Sequence, residues 1–303
     1  MDISATLLAD SIAPNGVRIT TVELHYHRYI LPELNTHRAF SRNGASSRAI
    51  PTTKLIEACL AEQVEPLEWG LNQSGMQAFT VADPTLEAEG REIWNEARAD
   101  AIKHASRLFD KGFAKQIVNR VLEPYLSTRT VVTSTDWANF DTLRDHKDAQ
   151  PEIRELARRI IAAKASSTPK LLGINEWHLP YILPEDYKAV REPGLAEAAS
   201  AVLDLLAYNV QQWFPDVPML LLAMISAARC ARVSYRTVEG KPTKIEDDLT
   251  LFERLIKTQP VHASPTEHQA TPWTVPLREA ITANYRGFVP FRRLLKNETI
   301  YDA

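Results

Sequence analysis

Hydrogen-bonding side chains crowd one short stretch of the chain, from Asn35 to Arg48: Thr36, His37, Arg38, Ser41, Arg42, Asn43, Ser46, Ser47 and Arg48. That density is expected of a segment that faces a ligand. Arginine recurs in later polar clusters, at Arg120, Arg144, Arg229, Arg232, Arg286, Arg292 and Arg293. A guanidinium keeps its charge and presents a planar fork that matches phosphates and carbonyl edges. Such a supply suits a nucleotide; for any single arginine the plain alternative is a solvated surface position. Ser46 has no histidine-acid pair arranged in the sequence to activate it, which favours binding over nucleophilic attack. The two cysteines, Cys59 and Cys230, are too few and too isolated for a disulfide framework, and both read as core thiols. The pairs His25/His27 and His262/His268 match no specific metal spacing, so no metal is expected.

These groups need elements to hold them. Residues 17–26 alternate apolar and polar side chains with one slip at Thr20-Thr21, the pattern of a half-buried strand. Residues 85–110 carry Leu86, Ile93, Ala97, Ala101 and Leu108 near one helical face. Thr130–Thr133 is β-branched and reads as a strand. A helix signal runs from Asp136 to Arg144, and Pro151 opens another over Glu152–Lys164. Between Ala165 and Pro193 the chain is broken repeatedly by proline and glycine, which suggests a boundary near 170. Helical patterns return at Leu195–Trp213 and Ile245–Ile256, the second entered through acidic residues 246–248. The 303 residues are 45% apolar and 24% charged, with net charge −3 and pI near 6.3. This is an ordinary globular composition without the field that would hold a nucleic-acid backbone. The longest apolar run, Pro218–Ala228, is too short to span a bilayer, and the N-terminus lacks a basic leader; a cytoplasmic location is expected, with no membrane or nucleic-acid partner.

Three blocks carry a family resemblance. Thr36-His-Arg-Ala-Phe-Ser-Arg-Asn-Gly-Ala-Ser-Ser-Arg48 resembles the signature of the flavin-dependent thymidylate synthases, with His37, Arg38, Ser41, Asn43, Ser46 and Arg48 in register and Thr36 replacing the first arginine. Asn139-Phe-Asp-Thr-Leu-Arg144 with Ala149-Gln-Pro-Glu-Ile153, preceded by Arg120-Val-Leu-Glu-Pro124, is similar to a second block. Ala231-Arg-Val-Ser-Tyr235 with His262-Ala-Ser-Pro-Thr-Glu-His268 looks like a third, which in the family comes first. Tyr285–Arg292 resembles a worn copy of the approach to the signature. The permuted order reads as circular permutation or as duplication with loss.

The resemblance implies an α+β fold, helix-rich with a small mainly antiparallel sheet. It implies a nucleotide-binding half over 1–170, a connecting helical segment over 171–215 and a permuted flavin-binding half over 216–303. It also implies transfer of a one-carbon unit from methylenetetrahydrofolate to C5 of deoxyuridylate, with FAD as cofactor, NADPH as reductant and a homo-oligomeric assembly. Carried over residue by residue, Ser46, Ser47 and Arg48 take the phosphate. Arg120 and Arg144 take the pyrimidine and stabilise charge developing on its carbonyl. His37, Arg38, Ser41, Asn43, Asn139, Ser234, His262, Ser264, Glu267 and Arg292 surround FAD and the folate entrance. Neither cysteine lies in the Pro-Cys-His setting of the flavin-free enzymes. Thr36, Glu33 and the permuted order motivate one other reading, an enzyme that modifies deoxycytidylate or hydroxymethylates a pyrimidine nucleotide; a rival of another class is a catalytically dead flavin- or nucleotide-binding protein.

Overall fold

Alternating apolar side chains and a glycine turn make the first hairpin. β1 (Ser4–Ile12) and β2 (Arg18–His27) pair antiparallel, with a bulge between Leu7 and Ala9. Gly16 closes the turn at φ +83°, a left-handed conformation that costs a residue without Cβ little. β3 (Ser41–Gly44) and β4 (Ser127–Ser134) extend the sheet on one side and β5 (Lys170–Leu171) on the other, in the order β3-β4-β2-β1-β5. Every pairing is antiparallel except β1 with β5. A second small sheet joins β6 (Ala270–Pro272) to β7 (Phe288–Pro290). The computed structural model describes residues 2–75, 77, 79–192, 194–203, 205–206, 212–233, 243–273, 282–296 and 298.

Among the described residues the helices are α1 (Leu31–Asn35), α2 (Thr52–Glu62), α3 (Pro84–Asp110), α4 (Lys115–Val118), α5 (Ala138–Arg144), α6 (Pro151–Ala165), α7 (Pro184–Ala189), α8 (Ala196–Leu203), α9 (Val217–Arg232) and α10 (Ile245–Lys257). The fold is α+β, helix-rich with a small, mainly antiparallel sheet, as the resemblance implied. Three-residue to seven-residue 3-10 turns at Arg28–Ile30, Asn119–Tyr125, Ser264–Glu267 and Phe291–Leu294 connect them. α6 lays Ile153, Leu156, Ala157 and Ile160 on Val22, Leu24 and Tyr26 of the sheet. Each such fully buried Leu or Ile contributes about 1.5–3 kcal/mol. α9 is buried from Leu220 through Ala231, an apolar surface on all sides that makes it the centre of a second core with α10. No helix among the described residues is long and apolar enough to cross a membrane.

Several sequence expectations change. α3 turns a different face inward: Ile93 is 65% and Leu86 45% exposed, while Ala105 is buried and Trp94 meets Tyr29 and Tyr125. An aromatic ring that can be buried decides the face against scattered aliphatics on a helix that is otherwise charged. The helix expected over 195–213 ends at Leu203; residues 204 and 207–211 lie outside the described residues. Arg229 and Arg232 are engaged by aspartates. Arg229 donates to both oxygens of Asp186, at 2.9 and 2.5 Å, and to Asp248 at 2.9 Å; Arg232 donates to Asp248 at 2.7 Å. Burial works against the Arg229 charge, and the two aspartates more than offset it. Asp248, read as a helix-start acid, is therefore also the anchor between α9 and α10.

β2 is buried on both faces rather than one. Val22, Leu24 and Tyr26 face α6, and Ile19 and Thr21 are equally buried on the other side under the C-terminal segments. That second face carries a polar ladder. Ser11 Oγ bonds His178 Nδ1 at 2.9 Å, and His178 Nε2 bonds Thr21 Oγ1 at 2.7 Å. Thr21 bonds Thr133 at 2.6 Å, and Thr133 bonds His268 Nδ1 at 2.9 Å. The slip at Thr20-Thr21 is thus the place where the chain puts a hydroxyl into a histidine network. Burial pushes both His178 and His268 down to about 3. The unfolded chain takes up these protons near pH 6.5 while the folded protein does not, so stability is complete above pH 7 and falls as pH drops below 6.5. The expected slope in that window is up to about 1.4 kcal/mol per pH unit for each histidine. Urea unfolding at pH 7.5, 6 and 5 measures it, and a His178→Gln protein should show a shallower slope; an unchanged slope removes His178 from the account.

Candidate functional site

β3 is the meeting place of the polar blocks. Its register opposite β4 sets Ser41 against Thr133 and Asn43 against Val131, and both Ser41 and Asn43 are buried. Upstream, Arg42 Nη1 donates to the carbonyls of Leu34 at 3.1 Å and His37 at 3.2 Å, which pins the end of α1. His37 is held between Phe40 and Phe140, with ring centroids 5.6 and 4.8 Å away. Arg144, in the last turn of α5, donates its Nε to His37 Nε2 at 3.0 Å. That bond makes Nε2 an acceptor and puts the ring proton on Nδ1. Burial first, then Arg144 and Arg42, hold the imidazole below its ordinary pKa, so it is neutral at pH 7.

Arg144 Nη2 donates to Thr36 Oγ1 at 3.2 Å, and Thr36 passes its own proton to the Glu33 carbonyl at 2.7 Å. Thr36, the departure from the signature arginine, has become a support for Arg144. The remaining nitrogen, Nη1, takes no part in these bonds and is the one that can meet a ligand.

Downstream of β3, Ser47 Oγ donates to Glu123 Oε1 at 2.5 Å, and Arg120 Nη1 donates to the same oxygen at 2.8 Å. Buried Asn119 ties the loop from below, donating to the carbonyls of Ser47 at 2.6 Å and Ile50 at 3.0 Å. Ser46 is half-buried, and Arg48 and Arg38 are exposed. Among the described residues no carboxylate pairs with Arg38 or Arg48. Asn139 is exposed at the start of α5.

The Ser264–Glu267 turn packs against β3 from the far end of the sequence. It is anchored by His268 on Thr133 and by the Tyr285 hydroxyl, which donates to the Glu267 carbonyl. The Glu267 carboxylate pairs with Arg292, whose Nε donates to Glu298 at 2.9 Å. His262 and Ser264 are exposed, and Ser234 lies outside the described residues. The structure therefore gathers His37, Ser41, Arg144 and Glu267 around one strand and links Ser47 to Arg120. It shows no bond from His262, Ser264, Arg38, Arg48 or Asn139 to the rest of the cluster. Sequence reasoning missed Glu123, Arg28, Asn119 and Tyr285. Glu123 and Tyr285 left a signal, the first as the acid three residues after Arg120 inside a matched block and the second as the first residue of the worn copy.

A family model described as thymidylate synthase complementing protein matches residues 18–170 of the 303. The chain belongs to that family, the flavin-dependent thymidylate synthases. The match spans β2 to β5 and thus the first two motif blocks; the Ser264–Glu267 turn lies beyond it. Similar solved structures include two of a UMP/dUMP methylase PolB from Streptomyces cacaoi, one bound with 5-Br UMP and one with 5-Br dUMP. Both are 18% identical and cover 54% of this chain. They cover 89% and 90% of their own chains, with TM-scores of 0.44 and 0.43. No curated protein matches the chain.

As a member of the thymidylate synthase complementing family the chain has no thiol suited to attack a pyrimidine. Cys230 is fully buried beside Gln269, and burial raises its thiol well above the ordinary range. Cys59 is buried in α2 among Leu55, Ala105 and Val118. A thiolate mechanism would need a cysteine that is exposed and acidic.

Proposed function

We propose that this protein transfers a one-carbon unit from methylenetetrahydrofolate to C5 of deoxyuridylate, using FAD as hydride carrier and NADPH as reductant. Family membership supports the reaction class. The observation that carries the reading is the meeting at β3 of blocks far apart in the sequence: His37 with Arg144 at 3.0 Å, and the Ser264–Glu267 turn against the strand. Proximity of this kind is what the chemistry demands, because base, flavin and carbon donor must lie in contact.

The donor set fits both ligands. Exposed Arg38 and Arg48 beside buried Ser41 and Asn43 offer charge and directed hydrogen bonds to phosphate and to a polar ring edge. His37, Arg38, Ser41, Asn43, Asn139, Ser234, His262, Ser264, Glu267 and Arg292 would hold the flavin and border the folate. Reduced flavin, when bound, supplies the hydride. Ser46, Ser47 and Arg48 bind the nucleotide phosphate. Arg120 and the free Nη1 of Arg144 fix the pyrimidine carbonyls, with Thr36 and His37 keeping Arg144 from turning away. Neutral His37 keeps its Nδ1 proton and cannot repel Arg144.

Anaerobic incubation with deoxyuridylate, methylenetetrahydrofolate and NADPH, followed by mass analysis, is expected to give thymidylate. Absence of product with a flavin-loaded protein would overturn the assignment. The departure at Thr36 favours one second reading, deoxycytidylate as substrate, and the same assay run with that nucleotide separates the two. Arg48→Ala should weaken nucleotide binding by about 1.5–3 kcal/mol, the worth of one charge-assisted contact, with flavin content unchanged. Calorimetric titration alongside the flavin absorbance checks both halves of that statement.

A further inference from the structure

Three donors from three parts of the chain reach a single oxygen. Ser47 Oγ lies 2.5 Å from Glu123 Oε1, Arg120 Nη1 2.8 Å and Arg28 Nη2 3.1 Å. Ser47 is 3% exposed and has one proton to give. It can serve Glu123 or a ligand's phosphate oxygen, but not both.

We infer that Glu123 is a specificity-determining residue, an internal anion that holds the phosphate and pyrimidine donors in place and limits how much negative charge the site accepts. This rests on the proposed assignment of Ser46–Arg48 to phosphate and Arg120 to the base. An arriving nucleotide takes Ser47 and Arg120 from Glu123 and then stands beside a carboxylate. Like charges at close range oppose each other, so every additional phosphate is penalised and a nucleoside monophosphate is preferred over a diphosphate.

The loop has supports besides Glu123. Asn119 already ties the Ser47 and Ile50 carbonyls, and Arg28 Nη1 donates to the Ala45 carbonyl at 3.1 Å. The Arg120 side chain is 57% exposed, and a pair so open to water adds little to stability. The pair of Glu123 with Arg28, whose side chain is 12% exposed, fixes the carboxylate in place, and a fixed carboxylate that occupies the donors a phosphate requires bears directly on the ligand.

The test is direct binding of deoxyuridine mono- and diphosphate to the purified holoprotein, by calorimetry, for the wild type, Glu123→Gln and Glu123→Asp. Glu123→Gln keeps the shape and removes the charge, and is expected to tighten the monophosphate about tenfold, the equivalent of one ordinary ion-pair contact. The diphosphate should gain more, narrowing the preference between the two. Glu123→Asp, which keeps the charge but withdraws it from Ser47, should give a smaller gain. In a Ser47→Ala background most of the gain from Glu123→Gln should vanish, since the two residues act as a pair. Equal or weaker monophosphate binding by a folded Glu123→Gln protein overturns the inference and leaves the proposed function standing. Failure of both variants to fold would make Glu123 a structural residue and overturn it too. If the wild type binds neither nucleotide, the proposed function itself falls, and the inference with it.

Discussion

Replacing Arg144 by alanine is expected to lower kcat by about two to three orders of magnitude, the usual cost of removing one fixed donor from a centre where charge develops. The guanidinium is oriented from two sides, by His37 at 3.0 Å and Thr36 at 3.2 Å, which leaves one nitrogen for the proposed contact with the pyrimidine carbonyl. Losing it removes that donor and also strands the His37 Nε2 acceptor beside Phe140. Arg144→Lys should recover little, because an ammonium cannot bond His37, Thr36 and a carbonyl in one plane. Thr36→Val should fall between, since Arg144 keeps its bond to His37 and loses one of its supports. Anaerobic steady-state rates, with melting curves to confirm folding, decide the matter. A folded Arg144→Ala protein with unchanged kcat would remove this residue from the chemistry.

The largest expected loss of stability lies far from the site. Arg229→Ala leaves Asp186 and Asp248 buried without their shared partner, and breaking a buried pair on one side typically costs about 3–5 kcal/mol. Asp248 keeps Arg232 and Thr243, whereas Asp186 loses both of its bonds to Arg229. Urea unfolding of the two proteins at one pH measures the difference. Arg229→Met, which fills the space but not the charge, should fare little better unless Asp186 is also replaced by an apolar residue. A loss below about 1 kcal/mol, the range of surface pairs, would show that water reaches the aspartates.

How far the residues announced this structure depends on whether a feature is local. His37, Ser41, Arg144 and Glu267 stand in motifs whose spacing can be read directly, and β2, β4, α5, α6 and α10 follow from short-range periodicity and start signals. The partners of those motifs could not be read. Thr36 looked like a loss in the signature, and only the fold shows Arg144 resting on it, because the contact joins α1 to α5. Glu123 is one acid among many until Asn119–Tyr125 turns it toward Ser47. Thr20-Thr21 looked like a flaw in an alternating strand, since nothing nearby says that His178 and His268 arrive from the other end of the chain to cover it. α3 misled for the opposite reason. Its 27 residues hold one fully buried side chain, Ala105, so periodicity had little to report, and a few exposed aliphatics suggested the wrong face.

The position of β3 at the rim of the sheet has a bearing on synthesis. The Ser264–Glu267 turn packs against it, and the ladder on the neighbouring strands is completed by His268. A ribosome makes β3 more than two hundred residues before the turn that covers it, as the numbering shows. Throughout that interval a growing chain carries a sheet face without the His268 segment that covers it, the kind of transiently exposed surface that associates with other chains. Contacts so distant along the chain also form slowly. Messages cut short before codon 264 should therefore yield material prone to self-association, and a cell making this protein would gain from a chaperone that holds the nascent sheet until its last turns emerge.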